Sequence, residues 1–214
     1  MRHFRKNSPA FLVLFITMLL LNGCDDETES ISGDYYPLND RTERYLEYIS
    51  SFDGVEFGFG DEPWDTTTVE ITSSKKVDGR DYKVVSHSRA YQRLIRNEGC
   101  RYFARDEAFT GGPYGDEYLF LDASLPVGST WTIDQPKSVR NRVEFTIKEK
   151  NTSVEVFDHT FNDVIIVQED TYRLGEDVPF TSYRYYQKDV GEVYNYLPAP
   201  FSLLYVDAAS VLMK

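Results

Sequence analysis

The chain has 214 residues, of which 41% are hydrophobic and 15% aromatic, so it can bury a core of domain size. It carries 35 acidic residues against 23 basic ones, a formal charge of -12. A surface this negative repels phosphate backbones and anionic headgroups, so neither nucleic-acid binding nor a polybasic membrane contact is expected.

The first 23 residues predict an export signal. Arg2, Arg5 and Lys6 precede an apolar run over residues 10–21 that a single threonine interrupts. That run is 12 residues long, whereas a membrane-spanning helix needs about 20, so a retained transmembrane anchor is not expected. We predict that residues 1–23 are a signal peptide. Its removal leaves 191 residues with a charge of -15, because three basic and no acidic side chains are lost.

The end of this segment resembles the lipobox of bacterial lipoproteins. The motif is Leu21-Asn22-Gly23-Cys24. In lipoproteins of that kind the cysteine sulfur carries a diacylglycerol, the signal is removed before the cysteine, and the new amino terminus is acylated. The resemblance implies that Cys24 is the lipid attachment site, and several acyl chains give stable anchoring. An ordinary secretory signal with an incidental cysteine is the alternative.

The sequence holds only two cysteines. If Cys24 carries a lipid thioether, Cys100 has no partner within the chain, and no disulfide-stapled scaffold is expected. We assign Cys100 no function. The acidic stretch after Cys24 offers almost nothing to bury, so residues 24–34 are predicted to be a flexible tether and residues 35–214 the folded domain.

The first element of that domain, Asp40–Phe52, carries conflicting signals. Asp40 is a candidate helix N-cap with Glu43 three residues on, and apolar residues follow at helical spacing, which slightly favours a helix. The aromatic-rich stretch Tyr45–Ile49 is instead typical of a strand. The residues alone leave both interpretations open.

Most of the remaining chain shows the alternation of half-buried strands. Thr68–Ser73 and Val143–Lys148 place apolar side chains at every second position. Residues 164–167 form a continuous apolar run, which predicts a strand covered on both faces. Turn-forming pairs separate the strands at Asp78-Gly79, Glu98-Gly99, Val127-Gly128 and Lys150-Asn151.

This pattern predicts ten or more antiparallel strands in an all-β meander. So many strands rarely stay in one flat sheet, so we expect a strongly curved half or closed barrel, with a β-sandwich as the alternative.

Several stretches together resemble a group of Bacteroidetes-type envelope lipoproteins with a single β-rich domain of undefined role. They are, in order, YYPLNDRTERYLEY, DTTTVEIT, DGRDYKVV, LPVGSTWTI and FNDVIIVQ. The resemblance favours the strand interpretation of the first element, although the family tends to have a glycine where Arg41–Arg44 stand here.

The resemblance also bears on location. In Bacteroidetes-type lipoproteins, an acidic run such as Asp25-Asp26-Glu27 resembles a signal for export to the cell surface. We therefore expect a lipid-anchored, surface-exposed protein of the outer membrane, with a periplasm-facing orientation as the alternative. Retention at the inner membrane is a further alternative. In enterobacterial lipoproteins an Asp directly after the cysteine, the position of Asp25 here, is a signal for that retention.

No pattern predicts a catalytic residue, a cofactor or a metal site. His87 and His159 are far apart in sequence, and the chain has no Gly-x-Ser-x-Gly elbow. Zinc and calcium spacings are also missing from the sequence. A non-enzymatic binding module is therefore the expectation. The alternatives are a hydrolase that uses two acidic residues and an envelope assembly protein with an exposed apolar patch.

A binding module would hold a glycan, lipid or protein partner in the barrel mouth or on its concave face. Trp64, in an acidic loop beside a proline, is the best candidate for stacking on a ligand. Asp65-Thr66-Thr67 resembles the O-glycosylation tripeptide of exported Bacteroidetes proteins, so Thr66 is a candidate modification site.

Replacing Cys24 with Ser removes the sulfur to which the lipid would be attached. We expect the C24S precursor to remain uncut and to take up no fatty-acid probe, as measured by metabolic labelling and the mass of the purified protein. Cys100→Ser is the matched control and should keep both label and processing. A labelled, processed C24S protein would contradict the anchor.

Overall fold

The computed structural model describes residues 25–26, 29–30, 33–49, 65–88, 91–106, 115–134, 140–173, 175, 177–197 and 208–213. The chain divides into two compact units, Met1–Ser32 and Gly33–Lys214. In the first unit, strand β1 (Asp25–Asp26) pairs antiparallel with strand β2 (Glu29–Ser30). Both Cys24 and Trp64 lie outside the described residues.

Among its described residues, the second unit contains twelve strands in one antiparallel sheet. They are β3 (Arg41–Ile49), β4 (Asp65–Val77), β5 (Arg80–His87), β6 (Tyr91–Glu98), β7 (Arg101–Asp106), β8 (Tyr118–Asp122), β9 (Thr130–Asp134), β10 (Arg140–Val156), β11 (His159–Arg173), β12 (Phe180–Gln187), β13 (Gly191–Leu197) and β14 (Ala208–Leu212). The all-β prediction is confirmed. Within the described part of the chain, no helix is long and apolar enough to cross a membrane.

The sheet is a nearly closed barrel, as the sequence predicts. Its strand order is β8-β7-β6-β5-β4-β3-β14-β13-β12-β11-β10-β9, so the first and last strands of the meander are neighbours and two consecutive strands form the edges. Those edges meet where the Trp131 indole N–H of β9 donates to the Leu119 carbonyl of β8, 3.0 Å away. Closure protects the two edges, which would otherwise present unpaired backbone groups.

In such a meander, successive connections alternate between the two ends of the barrel. The turns β4–β5, β6–β7, β8–β9, β10–β11 and β12–β13 share one end, and the connections from β3, β5, β7, β9, β11 and β13 share the other. We call the first the plug end and the second the far end.

The chain that precedes β3 fills the barrel at the plug end. Tyr35 and Tyr36 are buried there, and the Tyr36 ring packs against Tyr102, Phe120 and Tyr186 at centroid distances of 6.4, 5.5 and 6.3 Å. An eight-stranded barrel is just filled by its own side chains, so twelve strands leave a wider interior. Residues 33–40, the plug segment, supply the missing volume.

Hydrogen bonds fix the plug segment to the barrel. The Tyr35 N–H donates to the Tyr102 hydroxyl at 2.9 Å, and that hydroxyl donates to Asp34 Oδ1 at 2.7 Å. Asp34 also exchanges hydrogen bonds with Asp189 in the β12–β13 turn. Gly33 is the first residue of the compact unit that contains the barrel.

Residues 41–49 form a strand, so the local preference for a helix is wrong and the strand interpretation is right. β3 pairs with β14 on one side and β4 on the other. Its alternate residues Glu43 and Tyr45 face inward, where the Tyr45 hydroxyl donates to the Glu192 carbonyl at 2.7 Å. Pairing on two sides overrides the weak helical signals.

The predicted turn at Lys150-Asn151 is also wrong. β10 continues through both residues, and its register with β11 shifts on either side of them. Asn151 has a left-handed backbone, φ 53°, which an asparagine tolerates better than most residues. The residue that indicates a turn therefore makes a bulge, and the chain turns at Phe157-Asp158. The Asp78-Gly79 turn is confirmed, with φ of 51° and 79°.

Replacing Tyr36 with Ala should lower the free energy of unfolding by about 3–5 kcal/mol, because it removes a large buried ring from the plug end. Val178, 79% exposed, provides the control, since Val178→Ala should change stability by less than about 0.5 kcal/mol. Denaturant unfolding monitored by intrinsic fluorescence measures both values. A Tyr36→Ala loss no larger than the control's would show that the plug segment does not hold the barrel together.

Candidate functional site

Beyond the plug segment, the inner wall of the barrel is lined by charged side chains. On β12, the alternate residues Arg184 and Tyr186 share a face, and Tyr186 touches the plug residue Tyr36, so this face is the inner one. The group that we call the lumen cluster comprises His87, Arg93, Asp106, Glu169, Arg184 and Glu192.

Arg184 is the centre of this cluster. Its Nε lies 2.8 Å from Glu169 Oε2 on β11, and its Nη1 lies 3.2 Å from Glu192 Oε2 on β13. Burial lowers the pKa of the guanidinium, but the two carboxylates overcome this effect, and the pKa is raised well above its ordinary value. Arg184 therefore stays charged and joins three strands across the inner wall.

A second ion pair lies on the opposite half of the sheet. Arg93 Nε on β6 is 2.7 Å from Asp106 Oδ1 on β7, and the Tyr118 hydroxyl of β8 donates to Asp106 Oδ2 at 2.6 Å. Ion pairs of this kind hold charges that would be costly to bury alone.

His87 on β5 lies close enough to both arginines to feel their charge. Burial lowers the pKa of its imidazole to about 4, with Arg93 and Arg184 adding to the effect and Asp106 opposing it. The ring is therefore neutral at pH 7, with one nitrogen donating and the other accepting hydrogen bonds.

The lumen cluster remains in contact with solvent although it faces inward. The side chains of Arg184, Glu192 and Asp106 are 21%, 18% and 33% exposed. Accessible surface on inward-facing side chains means that the described residues do not pack tightly over the lumen cluster. At the plug end, by contrast, the plug segment fills the barrel.

A different ionic group holds the outer face of β5–β7. There, Arg96 binds Glu117 through two hydrogen bonds of 2.6 and 2.7 Å and lies over the Phe103 ring, 4.2 Å from its centroid. The Arg96 hydrogen bonds lower the pKa of Glu117 to about 2. This pair fixes the residues just before β8 against the sheet and has no access to the lumen.

The geometry of the lumen cluster suits binding better than acid catalysis. Glu169 and Glu192 each form an ion pair with Arg184, whereas a general acid has to present its carboxyl group to the substrate. Among the described residues, no group of three or more His, Cys, Asp or Glu could hold a metal ion. His159 starts β11 and stacks near Phe161, apart from the cluster.

Thr66, one of the residues singled out in the sequence, does not lie in the lumen cluster. Thr66 is exposed on β4, where its N–H donates to Asp65 Oδ1 at 2.7 Å, and Trp64 lies outside the described residues. No local motif in the sequence singles out Arg184, Glu169 or Arg93. The available signal was their inward register, since Glu169 follows the buried Val167 by two positions and so shares its face.

Cys100 differs from the expectation. It is half-buried in the turn between β6 and β7, and its sulfur is part of a disulfide. The sequence holds one other cysteine, Cys24, which lies outside the described residues. A sulfur that carries a lipid thioether cannot also form a disulfide, so lipid attachment at Cys24 and a Cys24–Cys100 bond exclude each other within one molecule.

No family model and no curated protein matches the chain. Two crystal structures are similar. One is a protein described as exported, with a YmcC-like fold, from Bacteroides fragilis, at 12% identity and a TM-score of 0.43. The other is a protein described as a lipoprotein from Parabacteroides distasonis, at 13% identity and a TM-score of 0.38.

Each match covers 84% of this chain and 97% of the other.

The low pKa of His87 predicts a loss of stability in mild acid. Its pKa is about 4 in the folded protein and about 6.5 when unfolded, so the unfolded chain binds more protons between these values. Stability is complete above pH 6.5 and should fall by on the order of 2 kcal/mol as the pH drops to 4.5.

Urea unfolding at several pH values measures this effect. His87→Asn should lose that part of the pH slope, and His159→Asn should keep it. An unchanged slope in His87→Asn would contradict a neutral, buried His87.

Proposed function

We propose that this protein is a lipid-anchored envelope lipoprotein whose barrel lumen binds a polar ligand without changing it chemically. The observation that carries the proposal is the lumen cluster, which is charged, ion-paired and still accessible to solvent. Pre-formed sites with a few convergent polar groups are typical of ligand binding. The barrel wall holds these groups in place through its continuous ladders.

The anchor rests on the sequence. Charge, apolar run and Leu21-Asn22-Gly23-Cys24 follow one another in the order of a lipoprotein signal, so Cys24 is the proposed attachment site. We propose the outer membrane, with the domain facing the cell surface, because of the acidic run that begins at Asp25. A periplasm-facing domain is the alternative. Intact-mass analysis would separate an acylated Cys24 from one joined to Cys100.

The lumen favours a polar ligand over an acyl chain. An apolar chain would displace water from Arg184, Glu192 and Asp106 without replacing their hydrogen bonds, and dehydrating charged groups in this way is costly. A ligand with hydroxyl or amide groups can replace that water group by group. Of the three classes that the sequence analysis leaves open, a glycan fits the lumen better than a lipid.

The two rival functions find less support. A hydrolase needs two carboxyl groups that act on the substrate, whereas Glu169 and Glu192 both bind Arg184. An assembly protein needs a contiguous apolar patch. Among the described residues, the exposed large hydrophobic ones are Val127 and Val178, in two different connections, and Met213, which follows β14.

Thr66 remains a proposed O-glycosylation site. Its side chain is exposed near the start of β4, at the far end of the barrel, so a modifying enzyme can reach it. A glycan there would add bulk outside the barrel.

A thermal-shift screen of the purified protein in detergent tests the binding function. Oligosaccharides, polar metabolites, inorganic anions, polyamines and fatty acids are added in turn. We expect a polar class to raise the melting temperature, because a ligand that binds the native state stabilises it.

Ser210→Phe places a ring on the inner wall and should remove that response. Thr42→Phe makes the same kind of change at an exposed position on β3 and should keep it. A response to fatty acids alone, or to none of the compounds, would contradict a polar lumen site.

A further inference from the structure

A continuous row of polar side chains crosses the inner wall near the far end. Arg184 on β12 pairs with Asn195 on β13, Asn195 with Ser210 on β14, Ser210 with Glu47 on β3, and Glu47 with Asp65 on β4. Directly opposed residues of neighbouring strands share one face of the sheet. We call these five residues the polar belt. At about 4.8 Å between strands, it extends about 19 Å along the wall.

One member of the polar belt has a hydrogen-bonding atom without a partner among the described residues. Asn195 Oδ1 is buried and accepts no hydrogen bond from them. It stands directly opposite Arg184, which donates to Glu169 through Nε and to Glu192 through Nη1. Buried polar groups are nearly always paired, so this acceptor indicates a place for a further partner beside the Arg184 guanidinium.

An aromatic surface adjoins the polar belt on the same inner face. Phe145 on β10 is paired with Trp131 on β9 and with Glu169 on β11, and the Trp131 and Phe145 rings are stacked, with centroids 5.3 Å apart. Trp131 is only half-buried. Because Glu169 binds Arg184, the aromatic surface and the polar belt are joined at that ion pair.

We infer that the polar belt binds a neutral saccharide chain, with Arg184 and Asn195 as its main hydrogen-bonding contacts and Trp131 as a stacking surface. This inference rests on the proposed function and names its ligand. A sugar ring offers hydroxyls that both donate and accept, and a flat C–H face that packs on an aromatic ring. The belt likewise offers both kinds of group: the guanidinium donates, the carboxylates accept, and the amide and the hydroxyl do both.

The charges that line the lumen favour a neutral ligand over an anion or a cation. The belt contains two carboxylates and one guanidinium, and the lumen adds Glu169, Glu192 and Asp106 against Arg93, so an anion would meet net negative charge. A cation bound beside Glu169 and Glu192 would have to compete with Arg184 for both carboxylates. A neutral hydroxylated ligand disturbs none of these ion pairs.

The test measures binding of defined probes to the full-length protein in detergent by thermal shift and calorimetry. The saccharide probes are neutral glucans, mannans, galactans and xylans of four to six sugar units. Inorganic phosphate and spermidine are the charged probes. We expect at least one saccharide to bind and neither charged probe to do so.

Asn195→Leu and Ser210→Val should each weaken saccharide binding at least tenfold, because each removes a hydrogen-bonding group from the belt. Neither change should destabilise the fold, since Asn195 Oδ1 loses no partner within the described chain. Asn97→Leu is the matched control, exposed on β6 and outside the belt, and should bind as the parent does. Melting temperatures without ligand confirm that each variant is folded.

The outcomes separate this inference from the function on which it rests. Binding of phosphate or spermidine without any saccharide would overturn the saccharide assignment and leave a polar lumen site standing. Saccharide binding that Asn195→Leu and Ser210→Val leave unchanged would overturn the polar belt as its location. If none of these probes binds, the inference is overturned. If no compound in the wider ligand screen raises the melting temperature, the binding function is overturned as well.

Discussion

The interior width of a twelve-stranded barrel is the constraint on which the rest of the structure depends. Wall side chains fill an eight-stranded barrel, but twelve strands enclose more volume than they can occupy. The protein meets this excess in two ways. At the plug end, residues 33–40 fold back inside and bury Tyr35 and Tyr36 against aromatic residues of the wall. Beyond them the wall carries ion pairs whose side chains remain partly accessible to solvent. Charged groups are stable only where they are paired or hydrated.

This division of the interior connects stability to function. The aromatic plug supplies the burial that a single apolar core provides in smaller domains, while Arg184, Glu169 and Glu192 hold an ordered polar surface open. A ligand that enters such a lumen meets side chains already fixed by one another, so little conformational entropy is lost on binding. The same ion pairs explain why the site does not resemble an acid catalyst.

Much of the fold can be predicted from the sequence, because alternating hydrophobicity and turn residues are local signals. The strand at residues 41–49 could not be assigned from its own residues, since its pairing partners are β4 and the distant β14. Asn151 shows the same limit, because one left-handed residue is equally typical of a turn and of a bulge.

The lumen site could not be predicted from the sequence, for a different reason. Along its strand, the inward-facing Arg184 alternates with outward-facing residues. A charged residue on the outer face of a barrel shows the same alternation. The sequence pattern therefore does not tell an inward charge from a surface charge. Only the register of β11, β12 and β13 shows that Arg184, Glu169 and Glu192 meet. The most direct test is a crystal structure that resolves ordered water. We predict water inside the barrel, bonded to the Arg184 guanidinium and to Asn195 Oδ1. A dry lumen, closed over these groups by neighbouring side chains, would contradict an open polar site.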